Sequence, residues 1–357
     1  MPTVASCIGP EGFGNYVVDW SGAEPVFERV HRPADVLLVP GFVDIHIHGG
    51  FGIDFMSASS ADLLHLCKRL EAEGYEAFLP TTVTAPAESI RAALARLPEH
   101  PMIAGFHLEG PYISPEFPGA QPPEFIAPAP PIPSDWDDIL DDPRLRVITL
   151  APEIPHALAV IAKLSQRGVV VSMGHSNATF DEARFGFEFG ARHTTHTFNA
   201  MRPFHHREAG IVGYALSQPA VNCELIYDRL HVVKDAAGFL LKAKSASGVI
   251  AVSDSTMATG MVSGTEINMW NHPCLVGKKS VRLASNGALA GSAITLLDAF
   301  QNLASDFGEE IAIRTCSLNA RKALGMTGRP RVYLEFDKHL DIAGRRTIGQ
   351  PAESGRD

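Results

Sequence analysis

Apolar runs of strand length alternate with amphipathic helical runs along most of the chain. From Val36 onward, eight runs are almost continuously apolar, as buried parallel strands are, and most are followed by a helical pattern. The predicted strands lie within residues 36–48, 76–85, 102–110, 146–153, 169–177, 191–199, 221–232 and 248–256. Strands that alternate with helices build parallel sheets, so we predict an α/β fold, a (β/α)8 barrel of the TIM type, with an open doubly wound sheet as the alternative.

The two ends of the chain depart from this alternation. Residues 1–38 consist of short apolar patches separated by Gly and Pro, which indicates a small β element. After Gly325 the pattern weakens, and the polar tail after Arg345 is expected to fray. We therefore expect a small β-rich unit formed by residues 1–38 with part of 327–357, and a barrel formed by residues 39–326.

A Pro-rich stretch, Ser114 to Ser134, separates the third predicted strand from the fourth. It could be a plain surface connection. Long loops that follow barrel strands usually build the functional face, however, so we expect this loop to cover a substrate.

Composition excludes some classes of function. Of the 357 residues, 45% are hydrophobic and 20% are charged, and the formal net charge is -10. This charge argues against a general binder of nucleic acids or anionic membranes, although it leaves room for a local basic pocket. No uncharged apolar stretch reaches about 18 residues, so no membrane span is expected.

The five cysteines are scattered and form no CxxC pair, which indicates free buried thiols in a reducing compartment. The amino terminus has no charged leader followed by an apolar run, so a signal peptide is not expected. Both observations favour a cytoplasmic protein.

Polar side chains interrupt the predicted strands near their carboxyl ends, where barrels place ligands and catalytic groups. His46 and His48 are two apart on the first strand, so both imidazoles point to one face and can reach one ion. Glu109 ends the third strand, and a buried carboxylate is costly unless it is paired with a buried Arg or Lys, or bound to a metal. His107 on the same strand is expected to hydrogen-bond nearby without binding the ion.

Three later strands also end on polar residues: His175, His196 and Asp254. Taken alone, each histidine fits a hydrogen-bonded core residue, and the aspartate fits a turn cap. Six such residues at one mouth are hard to explain separately, so we predict a shared metal site. A His and carboxylate set without Cys suits zinc, our first expectation, or iron or manganese, with one or two ions per subunit. His205 and His206 lie in a loop and are expected to be solvated.

These segments resemble the N-acetylglucosamine-6-phosphate deacetylase family of the amidohydrolase superfamily. The matching segments lie between about residues 40 and 300 and follow the same order as in the family. The match is specific because HLEGP and THTFNAM occur together in this chain. The matching text is PGFVDIHIHGGFGIDFM, GFHLEGPYISPEFPGA, GHSNAT, THTFNAM, REAGIVG, YDRLHV, SDSTMATG and LAGSAITL.

The resemblance implies a role for each matched position. A metal would be held by Glu109, His175 and His196, with His46 and His48 able to hold a second ion, and Asp254 would be the general acid and base. The residues implied to contact the sugar are Ala120, Asn199, Ala200, Leu289, Ala290 and Gly291. Arg207 and His231 would grip the phosphate, one or both in a neighbouring subunit's site, which implies a homodimer.

The chain also departs from the family pattern. Where many relatives have a Lys-Gly-x-His turn, residues 118–121 read Pro-Gly-Ala-Gln. Gln121 thus stands where those relatives have a His, and the loss of that His puts one sugar or acyl contact in doubt. Arg229 replaces a usual Gly beside His231 and would crowd or strengthen the phosphate pocket. The family's carboxy-terminal sheet is hard to find after Met326, so we expect a reduced β unit.

The expected reaction is metal-dependent hydrolysis of the acetamide of N-acetylglucosamine 6-phosphate to glucosamine 6-phosphate and acetate, with Asp254 moving the proton. Two other interpretations stay open. One is an amidohydrolase acting on a different N-acyl sugar or a cyclic amide, and the other is a non-catalytic sugar-phosphate binding protein.

Overall fold

A barrel of eight parallel strands forms the body of the protein. The computed structural model describes residues 3–22, 24–326 and 328–348. The barrel strands are Phe42–Ile47, Tyr75–Pro80, Phe106–Glu109, Leu145–Leu150, Val170–Met173, His193–Thr194, Asn222–Ile226 and Val249–Val252. The third to eighth strands pair in sequence order, and the first two pair with each other, always in parallel. The predicted (β/α)8 fold is confirmed, and the doubly wound alternative is wrong.

Backbone hydrogen bonds beyond the regular ladders close the barrel. The Asp254 amide donates to the His46 carbonyl (2.9 Å), and the His48 amide donates to the Ser255 carbonyl (2.9 Å), which joins the eighth strand to the first. The Thr82 amide donates to the His107 carbonyl (2.9 Å), which joins the second strand to the third. The bonds at the first seam involve residues predicted to carry the chemistry, so closing the barrel also assembles the site.

Helices surround the barrel and follow most strands. Ser59 caps the first helix through a capping box with Asp62, and Gly74 follows with a left-handed φ of 87°. The α-helices are Ser60–Ala72, Ala87–Ala95, Asp137–Leu140, Ala157–Gln166, Phe180–Phe189, Gly210–Ser217, Lys234–Lys244, Leu296–Phe307, Glu309–Ile313 and Asn319–Ala323. Short 3-10 turns span Pro123–Phe125 and Ala246–Gly248, and a π turn spans Arg314–Leu318.

Aliphatic side chains fill part of the barrel interior. The cluster includes Val43, Leu79, Val147, Ile226 and Val252, which come from five different strands and are all buried. A barrel packed in this way is a solid core, so a substrate can reach its polar residues only at the mouth.

A second sheet of six strands packs beside the barrel and uses both ends of the chain. Its spatial order begins at the carboxy-terminal strands and ends at the third strand of the chain. The strands are Val4–Gly9, Gly12–Asp19, Val26–Arg29, Val36–Pro40, Val332–Phe336 and Ile342–Thr347. The carboxy-terminal strands that were hard to find in the sequence are present in this sheet, because Tyr333 pairs with Pro40 and Val332 with Thr347. The fraying predicted for the tail falls mostly on residues 349–357, outside the described residues.

A four-stranded antiparallel sheet follows the eighth barrel strand and was not predicted. Its strands are Glu266–Met269, His272–Val276, Ser280–Leu283 and Leu289–Ser292. The last of these strands brings Leu289 and Gly291 to the barrel mouth.

All five cysteines are buried and free, as predicted: Cys7, Cys67, Cys223, Cys274 and Cys316. Within the described ranges, no helix is both long enough and apolar enough to cross a membrane.

Candidate active site

Six polar side chains from five barrel strands meet at the carboxyl end of the barrel. Oε1 of Glu109 lies 3.3 Å from Nε2 of His175 and 3.3 Å from Nε2 of His196. Oδ1 of Asp254 lies 3.5 Å from Nε2 of His46 and 3.3 Å from Nε2 of His48. The predicted convergence therefore holds in space.

The Glu109 carboxylate joins two groups of three potential ligands. One group is Glu109, His175 and His196, and the other is His46, His48 and Asp254, each with its ligand atoms within 4.8 Å of one another. Across the groups, Oε1 of Glu109 lies 3.3 Å from Nε2 of His46, and its Oε2 lies 3.3 Å from Nε2 of His48. The Glu109 carboxylate therefore faces ligand atoms of both groups.

Two of the histidine rings face each other through their Nε2 atoms. Nε2 of His175 lies 3.1 Å from Nε2 of His196. Nδ1 of His175 is 3.0 Å from the Phe117 carbonyl, and Nδ1 of His48 is 3.2 Å from the Thr81 carbonyl. A carbonyl can only accept, so each Nδ1 carries a proton, and each ring can bind a cation through Nε2 when the cation displaces the proton there.

A divalent metal fits this set of donors. Oε1 of Glu109 is buried and has no hydrogen-bond partner among the described residues, although three imidazole nitrogens face it. Ligands about 2.0–2.1 Å from a tetrahedral ion lie roughly 3.3 Å apart, which matches the separations of Glu109, His175 and His196. Nitrogen and oxygen donors without sulfur are compatible with zinc, iron or manganese.

Strained backbone aims three of these side chains into the mouth. His175, His196 and Asp254 have φ values of 47°, 29° and 47°, in the left-handed region that non-glycine residues rarely adopt. Each lies two residues past the last residue of its strand, where the chain turns outward. Strain of this kind persists only where surrounding contacts impose it, and it is concentrated at functional sites.

The imidazoles keep the two carboxylates ionised. Burial raises the pKa of Glu109, but the facing histidines outweigh it and hold that pKa well below its usual range. Burial also opposes ionisation of Asp254, yet the hydrogen bond from His48 and the charge of His46 lower its pKa to about 2. No Arg or Lys of the described residues lies within ion-pair distance of either carboxylate, so the salt-bridge alternative for Glu109 is wrong.

A cavity of about 140 Å³ opens above the six potential metal ligands, which we call the metal-type residues. The residues expected to contact a sugar that line it are Ala120, Asn199, Ala200, Leu289 and Gly291, and His231 lines it too. Ala290 lies between two lining residues but is fully buried in the core of the four-stranded sheet. The Ser114–Ser134 loop contributes Gly119, Ala120 and Gln121 to the wall, as expected for a loop that covers a substrate.

Arg207 lies apart from this cavity within the single chain. It is exposed, and its guanidinium hydrogen-bonds to the neighbouring His206 ring at 3.0 Å. Arg229 also turns away, because its Nε donates to Oδ2 of Asp306 at 2.7 Å. The idea that Arg229 crowds or strengthens the phosphate pocket therefore has no support in the single chain.

Comparison with known proteins agrees with this geometry. The model of the amidohydrolase family matches residues 37–329. The chain belongs to the amidohydrolase family.

Closer relatives within this family carry more specific names. The N-acetylglucosamine-6-phosphate deacetylase of Lysinibacillus sphaericus is 35% identical over 331 residues, which cover 89% of this chain and 84% of that protein. The N-acetylgalactosamine-6-phosphate deacetylase of Escherichia coli O157:H7 is 35% identical, with 85% and 82% covered. A mutant of the N-acetyl-D-glucosamine-6-phosphate deacetylase of Mycobacterium smegmatis, solved with N-acetyl-D-glucosamine-6-phosphate, has a TM-score of 0.86 at 28% identity, with 98% of each chain covered.

Two residues at the carboxyl end of the barrel, beside the candidate site, were not predicted from the sequence. Glu224 is fully buried, and its Oε2 lies 3.2 Å from Nδ1 of His46, which fixes that ring. Trp270 donates from Nε1 to Asp54 (2.8 Å) and packs its ring 5.0 Å from that of His48. Glu224 carried the same signal as Glu109, an acid inside an apolar strand, but nothing in the local sequence pointed to Trp270.

His107 behaves as expected. Its Nδ1 is 3.0 Å from the Ile45 carbonyl and its Nε2 is 2.8 Å from Oγ1 of Thr149. Burial lowers its pKa well below the usual value, so the ring is neutral and supports the ring of His46 beside it.

Proposed function

We propose that this amidohydrolase removes the acetyl group of N-acetylglucosamine 6-phosphate, giving glucosamine 6-phosphate and acetate, as part of amino-sugar catabolism or recycling. The observation that carries the proposal is the convergence of the two groups of potential metal ligands, one of which includes Asp254, beneath a cavity that is walled by the sugar-contact positions. Relatives that share about a third of the sequence over most of the chain are named for this reaction. A non-catalytic binding protein would not need to keep all six residues.

The proposed metal is zinc, with iron or manganese as alternatives. Glu109, His175 and His196 would hold one ion, and His46 and His48 with Asp254 nearby would hold a second. When bound, the metal would polarise the amide carbonyl and lower the pKa of water from about 15.7 to about 7.

Asp254 is placed to move the proton. Its carboxylate lines the cavity and is ionised, so it can accept a proton from the attacking water. The same oxygen can then return the proton to the sugar nitrogen as the C–N bond breaks. Cleavage of the bond thus yields a neutral amine and acetic acid, and the acid then releases its remaining proton to the amine or to solvent to become acetate.

Other cavity residues would orient the sugar. Asn199 donates from Nδ2 to the His196 carbonyl (3.1 Å), which leaves its side-chain oxygen available to a sugar hydroxyl. Asp228 accepts from Nδ1 of His231 (2.6 Å), which leaves Nε2 of that ring available to the phosphate. These two residues would hold the acetamide over the metal-type groups.

We place Arg207 in the site of a second subunit, in a homodimer. Large apolar side chains are exposed near Arg207 and His231, the two residues expected to bind the phosphate. Phe204 is 60% exposed and Leu230 is 47% exposed. Arg207 has no carboxylate partner among the residues that the structure describes, and a charged residue of this kind beside exposed apolar groups suits a contact between subunits. The buried free thiols suit a cytoplasmic location.

A second candidate substrate is N-acetylgalactosamine 6-phosphate, because one relative of equal identity is named for it. The two sugars differ only at C4. An assay of acetate release from both phosphates and from unphosphorylated N-acetylglucosamine tests the proposal. We expect the highest kcat/KM on N-acetylglucosamine 6-phosphate. Release that is fastest from the galactose epimer favours the second candidate, and release from none of them rules out both.

A further inference from the structure

A large cavity lies at the end of the barrel opposite the active site. It measures about 800 Å³ and is bordered by the starts of the fifth, sixth and seventh barrel strands and the loops before them. None of the residues that line it belongs to the metal-type groups or to the sugar cavity. Its chemistry is therefore separate from the hydrolytic site.

The side chains around this cavity are cationic or neutral. Arg192, Lys244 and Lys322 line it, and no Asp or Glu does. None of these three forms an ion pair with a carboxylate in the described part of the chain. In a protein with 40 acidic and 30 basic residues, three unpaired cations around an acid-free cavity create a local positive field.

Lys244 is the most unusual of these cations because it is only 7% exposed. Its ammonium donates to the Ala215 carbonyl (3.0 Å) and to the Gln218 carbonyl, which uses two of its three donors. Burial lowers its pKa, but no carboxylate compensates the charge. A buried charge that lacks a counter-ion is costly, so an anion in the cavity would stabilise it.

His193 contributes a second buried group at the inner end of the cavity. The ring is 2% exposed, and its Nε2 lies 3.0 Å from Nδ2 of Asn222. That amide donates, so Nε2 accepts and Nδ1 carries the proton. Nδ1 has no hydrogen-bond partner among the described residues, so this buried donor lacks an acceptor.

We propose that this cavity binds a small phosphate-class anion, either free phosphate or the phosphate of a phosphorylated metabolite, at a site separate from the active site. Lys244 and Lys322 would supply the charge, and Ser247 and Asn222 would supply neutral hydrogen bonds. Occupancy would join the loops before neighbouring barrel strands and stabilise the fold. The proposal does not depend on the proposed function.

Titration calorimetry on the full chain in a phosphate-free buffer tests it, with inorganic phosphate in one arm and glucose 6-phosphate in the other. Lys322→Glu, at an exposed position, is expected to weaken binding at this site about tenfold or more. Lys242→Glu is the matched control, because Lys242 is exposed two residues before Lys244 in the same helix but does not line the cavity. Binding that survives both changes belongs to the active site.

The two arms separate the sources of the anion. Binding of inorganic phosphate alone, lost in Lys322→Glu, supports a free-phosphate site, and tighter binding of glucose 6-phosphate supports a metabolite site. Lys244→Met is expected to abolish the binding that Lys322→Glu weakens, and circular dichroism checks that this variant folds. If Lys244→Met does not fold, Arg192→Ala takes its place. Absence of any binding that Lys322→Glu reduces would overturn the proposal, as would an equal loss in Lys242→Glu.

Discussion

Gln121 donates a 2.5 Å hydrogen bond from Nε2 to Oε2 of Glu109. Its other side-chain atom accepts from the Thr84 amide at 2.7 Å, so the backbone fixes which end of the Gln121 amide faces the carboxylate. Oε1 is then left to face the imidazoles of His175 and His196. The residue that looked like a lost sugar contact in the sequence is therefore a support for the carboxylate at the metal-type site.

Gln121→Met keeps the length of the side chain and removes the donor. We expect the affinity for the metal to fall about 10–100-fold, because residues that orient metal ligands typically contribute that much. Competition with a fluorescent chelator measures the change, with His175→Asn as the control for outright loss of a ligand. An unchanged affinity would show that Gln121 does not position Glu109.

Asp254→Asn preserves the shape of the side chain and removes its basicity. We expect kcat to fall by at least about 10²–10⁴-fold, the usual contribution of positioned proton transfer, with the metal at Glu109, His175 and His196 retained. Acetate release and elemental analysis of the same sample check both parts. Near-normal turnover would remove Asp254 from the role of general base.

Arg207→Ala should raise KM for the phosphorylated sugar and leave hydrolysis of the unphosphorylated sugar unchanged, since a guanidinium binds a phosphate in a bidentate way. If the arginine acts across a dimer, each mixed dimer of one Arg207→Ala and one Asp254→Asn subunit contains one intact site. Equal mixing should therefore make about a quarter of all sites intact. Steady-state assays before and after subunit exchange measure this. No recovery in demonstrated mixed dimers would place Arg207 in its own subunit's site or outside any site.

His193 should make the stability of the fold depend on pH. Burial lowers its pKa to about 4 from the ordinary value of 6.5, so the unfolded chain binds the proton first as the pH falls. The free energy of unfolding should therefore fall between pH 6.5 and pH 4, by up to about 3 kcal/mol from this residue. Urea unfolding of the wild type and of His193→Gln gives the difference. Parallel pH profiles for the two proteins would contradict the assignment.

The barrel and most of the mouth could be predicted because they follow from local rules. Buried parallel strands are continuously apolar, so a polar residue such as Glu109 or Asp254 at a strand end stands out. Glu224 gave the same signal and was still missed, since it lies inside its strand and not at the end. Its role depends on the ring of His46, which is distant in sequence.

Other features depend on contacts that no local pattern encodes. The four-stranded sheet at 266–292 is a set of short strands without the apolar continuity of the barrel strands, and it determines where Trp270 and Leu289 lie. Tyr333 pairs with Pro40 across nearly the whole chain, so the carboxy-terminal strands of the small sheet could not be recognised from their own residues. Arg207 has no substrate-facing position in one chain because its proposed partner is another subunit.

The central claim is that the imidazoles and carboxylates at the barrel mouth share a divalent metal that this enzyme needs to hydrolyse an acetamide. Its most direct test is acetate release from N-acetylglucosamine 6-phosphate by purified protein, before and after chelation and after zinc is restored, with metal counted in each sample. We predict about one or two ions per subunit, loss of turnover with the metal, and recovery on adding zinc. Full turnover by protein shown to be free of metal would contradict the account.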